Sequence, residues 1–283
     1  MRPSSFSRHL NDVLTIQGQV WTVSDEHGLV GYAYVTPVPG LVGVLDLQGC
    51  IDPAKQRQGY GSHLLSVVIA SLMANGRPQL SHAVDTLSSP AALFLQSRQF
   101  VVEHIEWHML LENPGDYAPV SFPPGFRLAT YPLAAAVRNF RKTYDAAFHG
   151  LPWFQPYTSD REVTAELSAP TDLLFLLDNE KIAGFAWLRM PELDLGEVEP
   201  FGLLPAYRGK GLGAKFLTAA IQQLVANGAK RIRIGAWQSN DRAIRLYQQL
   251  GFKHINTQTY LAYDTTRSQA FPQDSQTSAK LKA

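Results

Sequence analysis

Arg208-Gly209-Lys210-Gly211-Leu212-Gly213 follows a mostly apolar run, Glu197 to Leu204, and a turn at Pro205. Beyond it Leu217, Ile221, Leu224 and Val225 recur at helical spacing, and Gly228 stands where a helix would end. The order is therefore strand, glycine-rich turn, helix. Such a turn is an anion site: the unpaired N–H groups of the first helical turn point at the ligand, the helix end carries about half a positive charge, and glycine lets the main chain come close. Arg231 to Ala236 alternates Arg with Ile and predicts the next strand. Asn240 is placed to cap a helix that runs toward Leu250 and stops at Gly251.

The same text occurs 152 residues earlier, as Gln56-Arg57-Gln58-Gly59-Tyr60-Gly61. Pro53 matches Pro205, Leu65, Ile69 and Leu72 match Leu217, Ile221 and Leu224, Ala74-Asn75-Gly76 recurs as Ala226-Asn227-Gly228, and Phe100 matches Phe252. Two copies of one domain follow. Residues 1–112 form the N-terminal copy, 113–125 a Pro- and Gly-bearing linker, 126–264 the complete copy and 265–283 a polar tail expected to be disordered. The second copy has a longer lead-in: a strand at 126–131, helices at 133–148 and from Ser159, and strands at 173–177 and 182–189. The first has only about 17 residues before its hairpin at 20–24 and 29–36.

Composition narrows the function. The chain has 283 residues, 45% hydrophobic and 17% charged, with 25 Lys and Arg against 24 Asp and Glu. A net charge of +1 with no basic stripe argues against a nucleic-acid partner. Cys50 is the one cysteine, so no intrachain disulfide and no thiolate zinc site can form. The longest apolar stretch, 64–74, is far short of the ~20 residues of a bilayer span, and residues 1–14 lack a signal-peptide core; the expectation is a cytoplasmic protein with no membrane partner and no metal.

Three phosphate-bearing ligands compete for the loop. A nucleotide P-loop needs Lys-Ser or Lys-Thr after the last glycine, absent from both copies. A dinucleotide fingerprint fits 209–214, but copy one has Leu64 at the third small position and the next strand lacks an acidic residue for a ribose. Coenzyme A remains.

Leu203-Leu204-Pro205-Ala206-Tyr207-Arg208-Gly209-Lys210-Gly211-Leu212-Gly213, with Asn240-Asp241-Arg242-Ala243, Leu246-Tyr247 and Gly251-Phe252, resembles the acetyl-CoA loop and following helix of the GNAT acetyltransferase superfamily, over nearly all of copy two and most of copy one. The resemblance implies an α/β (α+β) fold of two tandem domains, each a mixed, splayed sheet flanked by helices, the first copy truncated. It implies acetyl-CoA as cosubstrate, with the main chain at Leu203 on the pantetheine arm. Arg208, Gly209, Lys210, Gly211, Leu212, Gly213 and Ala214, with Asn240, would serve the pyrophosphate end. The corresponding loop residues of copy one are Gln56, Gln58, Gly59, Tyr60, Gly61 and Ser62. The layout of one active half beside a degenerate one resembles that of mycothiol synthases.

An amine near the Lys pKa of ~10.4 must lose a proton to attack a thioester, and the departing thiolate gains by receiving one. The resemblance implies Tyr247 as acid and Glu197 as base; Glu199, two residues on and on the same strand face, is the reserve. Tyr247 could otherwise only pack, and Glu197 could simply pair with an arginine. Gap-free comparison puts Leu95 opposite Tyr247 and Leu45 opposite Glu197, which makes copy one a support domain. The aromatic stretch 148–157, with Trp153, Phe154 and Tyr157, either lines an acceptor pocket or pins aromatics into the core. The acceptor is expected to be an amine of a small molecule or peptide. A CoA-binding sensor without turnover is the competing reading.

Overall fold

The computed structural model describes residues 18–38, 41–76 and 78–264; the expectations for the first 17 residues and for the 265–283 tail lie outside them. The chain divides into two compact units, one running to Glu103 and resuming at Tyr260, the other spanning His104–Thr259.

The second unit contains β5 (Val101–Glu112) from His104 onward, β6 (Phe126–Ala129), α3 (Leu133–Phe148), α4 (Asp160–Glu166), β7 (Leu173–Asp178), β8 (Lys181–Glu192), β9 (Leu195–Leu203), α5 (Leu212–Ala226), β10 (Arg231–Trp237), α6 (Asp241–Gln249) and β11 (Lys253–Asp264) as far as Thr259. Its strands lie in the order β11-β5-β10-β9-β8-β7-β6. β6 to β9 pair antiparallel, β9 and β10 parallel, β10 and β5 antiparallel. The unbroken run Leu173-Leu174-Phe175-Leu176-Leu177 is what a strand covered on both faces requires. Leu173, Phe175 and Leu177 pack with Val137, Phe140 and Tyr144 of α3, whereas Leu174 and Leu176 pack with Phe216, Leu217 and Ile221 of α5.

The first unit contains β1 (Gln19–Asp25), β2 (Gly28–Pro37), β3 (Val44–Ile51), α1 (Tyr60–Ala74), β4 (Gln79–Val84), α2 (Pro90–Gln96), the start of β5 and the end of β11. Leu64, Leu65, Val68, Ile69 and Leu72 are buried on α1, and their counterparts 152 positions later, Phe216, Leu217, Ala220, Ile221 and Leu224, are buried on α5. The repeated spacing is a repeated core face. β5 and β11 are each a single 12-residue strand.

In both units the parallel pair parts after three residues. β9 and β10 pair only from Leu195↔Arg231 to Glu197↔Arg233, and β3 and β4 only from Val44↔Gln79 to Asp46↔Ser81. This is the splayed, helix-flanked mixed sheet expected of the fold. The two openings differ by one residue. Between Ala186↔Phe201 and Leu188↔Val198, β9 advances three residues against two on β8, a bulge at Glu199-Pro200. β2 and β3 keep an unbroken register. The pairing therefore sets Asp46, not Leu45, in the place of Glu197, and the gap-free correspondence fails at the bulge. Asp46 accepts hydrogen bonds from Gln48 Nε2 at 3.1 and 3.4 Å.

The glycine-rich loops keep one backbone shape. Gly209 and Gly211 have φ of +77° and +74°; Arg57 and Gly59, their counterparts, have +62° and +89°. Arginine in the left-handed region costs ~1–2 kcal/mol. Arg57→Gly removes that strain against a glycine entropy cost of ~0.5–1 kcal/mol, so a net gain of up to ~1.5 kcal/mol in unfolding free energy is expected, read as a higher urea midpoint at unchanged m.

Candidate active site

The N-terminus of α5 carries no side-chain cap on Gly211, and α1 none on Gly59, so their first-turn N–H groups are left for a ligand. A Cβ at Gly211 would meet nothing within 4 Å, and at Gly209 only Arg242 Nη2, at 4.0 Å. The loop thus faces open space with a guanidinium at its side, a fit for a phosphate group. Sequence reading passed over Arg242, although its place in the first turn of α6 was visible. Lys210 Nζ lies over the Tyr207 ring, 5.9 Å from its centre. Leu212 is buried, and a Cβ at Gly213 would touch Leu246 and Leu203 at 3.6 and 3.8 Å. Ala214 follows in the same first turn of α5. Asn240 caps α6, its Oδ1 accepting from Ala243 N–H at 3.2 Å.

Arg208 departs from expectation. Its N–H closes the turn before the loop on Pro205 O at 3.2 Å, its Nε donates to Leu203 O at 2.9 Å, and its Nη2 donates to Ala147 O. Arg208 ties the end of β9 to the end of α3, so the donors free for a phosphate begin after it. Leu203 O likewise already accepts one hydrogen bond.

In unit one, Gln56 Nε2 donates to Ile51 O at 3.2 Å and Gln58 Nε2 to Ala54 O at 3.3 Å, bracing the loop from within. Ser62 accepts from Arg98 Nη2 at 2.6 Å, while Tyr60 and Gly61 open α1. Arg98, which stacks over Phe94 at 5.6 Å, had no sequence signal linking it to the loop.

The two strand carboxylates part company. Glu197 is 9% exposed and held by Arg233, with Oε2 at 2.5 and 2.9 Å, and by Arg189 at 3.4 Å. Arg189 continues to Glu166 of α4 at 3.2 Å and stacks over Trp187 at 4.4 Å. Glu199, on the bulge, makes no ion pair among the described residues. Loss of water around its carboxyl, with Glu106 and Glu197 nearby, pushes its pKa up to about 8 despite Arg189 and Arg233. Tyr247 is 5% exposed, packs on Phe252 at 6.0 Å, and is raised well above an ordinary phenol by burial and by Glu199. Tyr144 of α3 accepts from Gln155 N–H at 3.4 Å and is pushed up to about 12 by burial, Glu199 adding to it.

Glu199, Tyr247 and Tyr144 thus share one electrostatic neighbourhood, and Glu106 of β5 joins it. Glu106 was not singled out in the sequence, because only strand pairing brings β5 beside β10. Chemically the group offers a carboxyl poised near neutrality and a phenol that keeps its proton: a base and an acid.

The aromatic loop lies partly buried against the core. Phe154 and Tyr157 pack against the α3 cluster, and Tyr157 meets Phe140 and Tyr144 at 5.3 and 5.2 Å. Trp153 Nε1 is buried without a hydrogen-bond partner among the described residues.

The family model of the Acetyltransferase (GNAT) family matches residues 137–252. A mycothiol acetyltransferase of Corynebacterium efficiens is 29% identical over 242 residues, covering 80% of this chain and 79% of that protein. A GCN5-related N-acetyltransferase from Sphaerobacter thermophilus superposes with a TM-score of 0.68 at 18% identity, over 92% of this chain and 85% of the other. A tandem GNAT protein from the clavulanic acid biosynthesis pathway gives 0.62 at 16% identity, over 88% and 83%. At such identities these two structures show the fold.

Proposed function

Since residues 137–252 belong to the GNAT acetyltransferase family and the chain is an acyltransferase, we propose that its second unit moves an acetyl group from acetyl-CoA to the primary amine of a small molecule, with Glu199 as base and Tyr247 as acid. The observation that carries this reading is the neighbourhood of Glu199 and Tyr247 where β9 and β10 have parted. Glu199 replaces Glu197 in the role of base because both carboxylate oxygens of Glu197 are already engaged, Oε1 by Arg189 and Oε2 by Arg233. No membrane-crossing helix is present among the described residues.

The acetyl donor would lie along the opening, its phosphates at the N–H groups from Gly209 to Ala214 with Arg242 beside them. Glu199 draws a proton from the acceptor; Tyr247, still protonated across the neutral range, supplies one to the leaving sulfur. The name of the curated relatives makes the acceptor of mycothiol acetyltransferases the first amine to assay. Unit one is assigned a supporting role, because Leu95 is buried on α2 where Tyr247 stands on α6.

The reading is tested by release of free CoA thiol from acetyl-CoA across a panel of amines, with Gly211→Val as the control. Valine at φ +74° is strained and projects into the open space before the loop. Acetyl-CoA affinity should fall ~10-fold or more. Turnover with no amine, or an unchanged affinity in the variant, would refute the function or the loop assignment respectively.

A further inference from the structure

Positions 51 and 56 of the first copy correspond to positions 203 and 208 of the second. Both pairs make the same hydrogen bond across the turn. Gln56 Nε2 donates to Ile51 O at 3.2 Å, and Arg208 Nε donates to Leu203 O at 2.9 Å. A glutamine is therefore enough to brace the turn. Arg208 does more: its Nη2 reaches out of the loop to Ala147 O, in the last turn of α3. No helix precedes β1 among the described residues of unit one. The longer side chain stands in the copy that has the extra helix to hold.

What Arg208 holds is one wall of the site. Ala147 and Phe148 end α3, and the aromatic stretch 148–157 begins there. Phe148 lies over the bare backbone of β9, where a Cβ at Gly202 would come within 2.9 Å of its ring. Tyr144, one turn back on α3, borders Glu199 and meets Phe148, Phe154 and Tyr157 at 4.9, 6.0 and 5.2 Å. The carbonyls at the C-terminus of a helix carry partial negative charge, which suits a guanidinium.

We propose that Arg208 is a positioning residue that couples the donor loop to the acceptor wall. Its guanidinium fixes the end of α3, and with it Tyr144 and the start of the 148–157 stretch, against the strand along which acetyl-CoA would lie. The proposal rests on the acetyltransferase reading and adds to it a residue and an order: the wall tightens once the donor is bound.

The order follows from charge. Burial, and then the like charge of Arg242, make Arg208 hold its proton less firmly than a free arginine does. Arg242 stands beside Gly209, at the mouth of the loop. A phosphate placed there offsets the repulsion between the two guanidiniums and strengthens the hold of Arg208 on Ala147 O. Donor and acceptor then favour each other through one side chain that touches neither reacting centre.

The test uses the full chain and CoA itself. Amide hydrogen exchange is followed by mass spectrometry over residues 144–154, where the N–H groups of His149, Leu151 and Phe154 close on Asp145 O, Phe148 O and Leu151 O at 2.8, 2.9 and 3.0 Å. In the wild type, saturating CoA should slow exchange there ~10-fold, the effect of one strengthened charged hydrogen bond. Arg208→Gln, which carries the side chain found in copy one, should bind CoA within ~3-fold of wild type and show no slowing. With an amine that turns over, this variant should raise the amine KM ~10-fold and the acetyl-CoA KM by no more than ~3-fold. An arginine that only stabilised the fold would not give that split.

Equal slowing in both proteins, CoA bound to the wild type without slowing, or a rise of the two KM values together overturns the coupling and leaves acetyl transfer standing. A wild type that binds no CoA rejects the acetyltransferase reading and the coupling with it. If Arg208→Gln fails to fold, Arg208→Lys keeps the charge on a single terminal nitrogen where arginine places two. The slowing by CoA should then shrink and the amine KM alone should rise; values equal to wild type overturn the coupling.

Discussion

Tyr247→Phe is expected to lower kcat ~100- to 10,000-fold, the usual loss on removing a positioned proton donor. The ring is kept, and with it the packing on Phe252 and the buried place on α6. Acetyl-CoA affinity and thermal stability should therefore stay close to wild type, and single-turnover kinetics would locate the loss in the chemical step. Because burial and Glu199 both raise the phenol, the wild-type rate should show no basic limb from this group at neutral pH. An unchanged kcat would reduce Tyr247 to a packing residue and reopen unit one as a place for catalysis.

Glu199→Gln should cost a similar ~100- to 10,000-fold in kcat/KM, with a pH signature of its own. A base with a pKa of about 8 makes the wild-type rate climb with pH up to that value, and the glutamine variant should lose the climb. Stability should move the opposite way. The folded pKa of Glu199 lies above its unfolded value of ~4.3, so the folded state holds the extra proton between the two. The stability this confers is complete below about pH 4 and is lost as pH rises through about 8. Glutamine does not ionise, so the variant should unfold at a higher temperature than the wild type above pH 8 while being nearly inactive. Gain of stability with loss of rate is a pairing that a purely structural carboxylate would not give. Glu197→Gln, by contrast, should destabilise, since it strands Arg233 without its acidic partner and leaves Arg189 with Glu166 alone.

The glycine-rich loops, the helices behind them and the repeated burial at 152-residue spacing were legible because each depends on local chemistry: turn residues, helical period and an N-cap at Asn240. Tyr247 and the Glu197/Glu199 pair were legible as candidates for the same reason. The choice between the two acids was not. It depends on Arg233, across a strand pair, and on a bulge that gap-free comparison conceals, the same bulge that set Leu45 where Asp46 belongs. One hint was on the page, since Arg231 and Arg233 break off at Gly235 along a strand of strict alternation. Glu106 and the carbonyl-bound side chain of Arg208 depend on contacts between distant segments, and no local pattern announces them.

Leu261 and Tyr263, near the end of β11, are buried in the core of the first unit, beside residues more than 150 positions earlier. A ribosome delivers the chain from the N-terminus, so the domain made first has to wait for the last residues to emerge before its sheet is complete. Until then the edge of β4 stands open, a template for any passing strand. A stop codon shortly after Thr259 would spare every group assigned to chemistry and still leave the opposite end of the sequence unfinished.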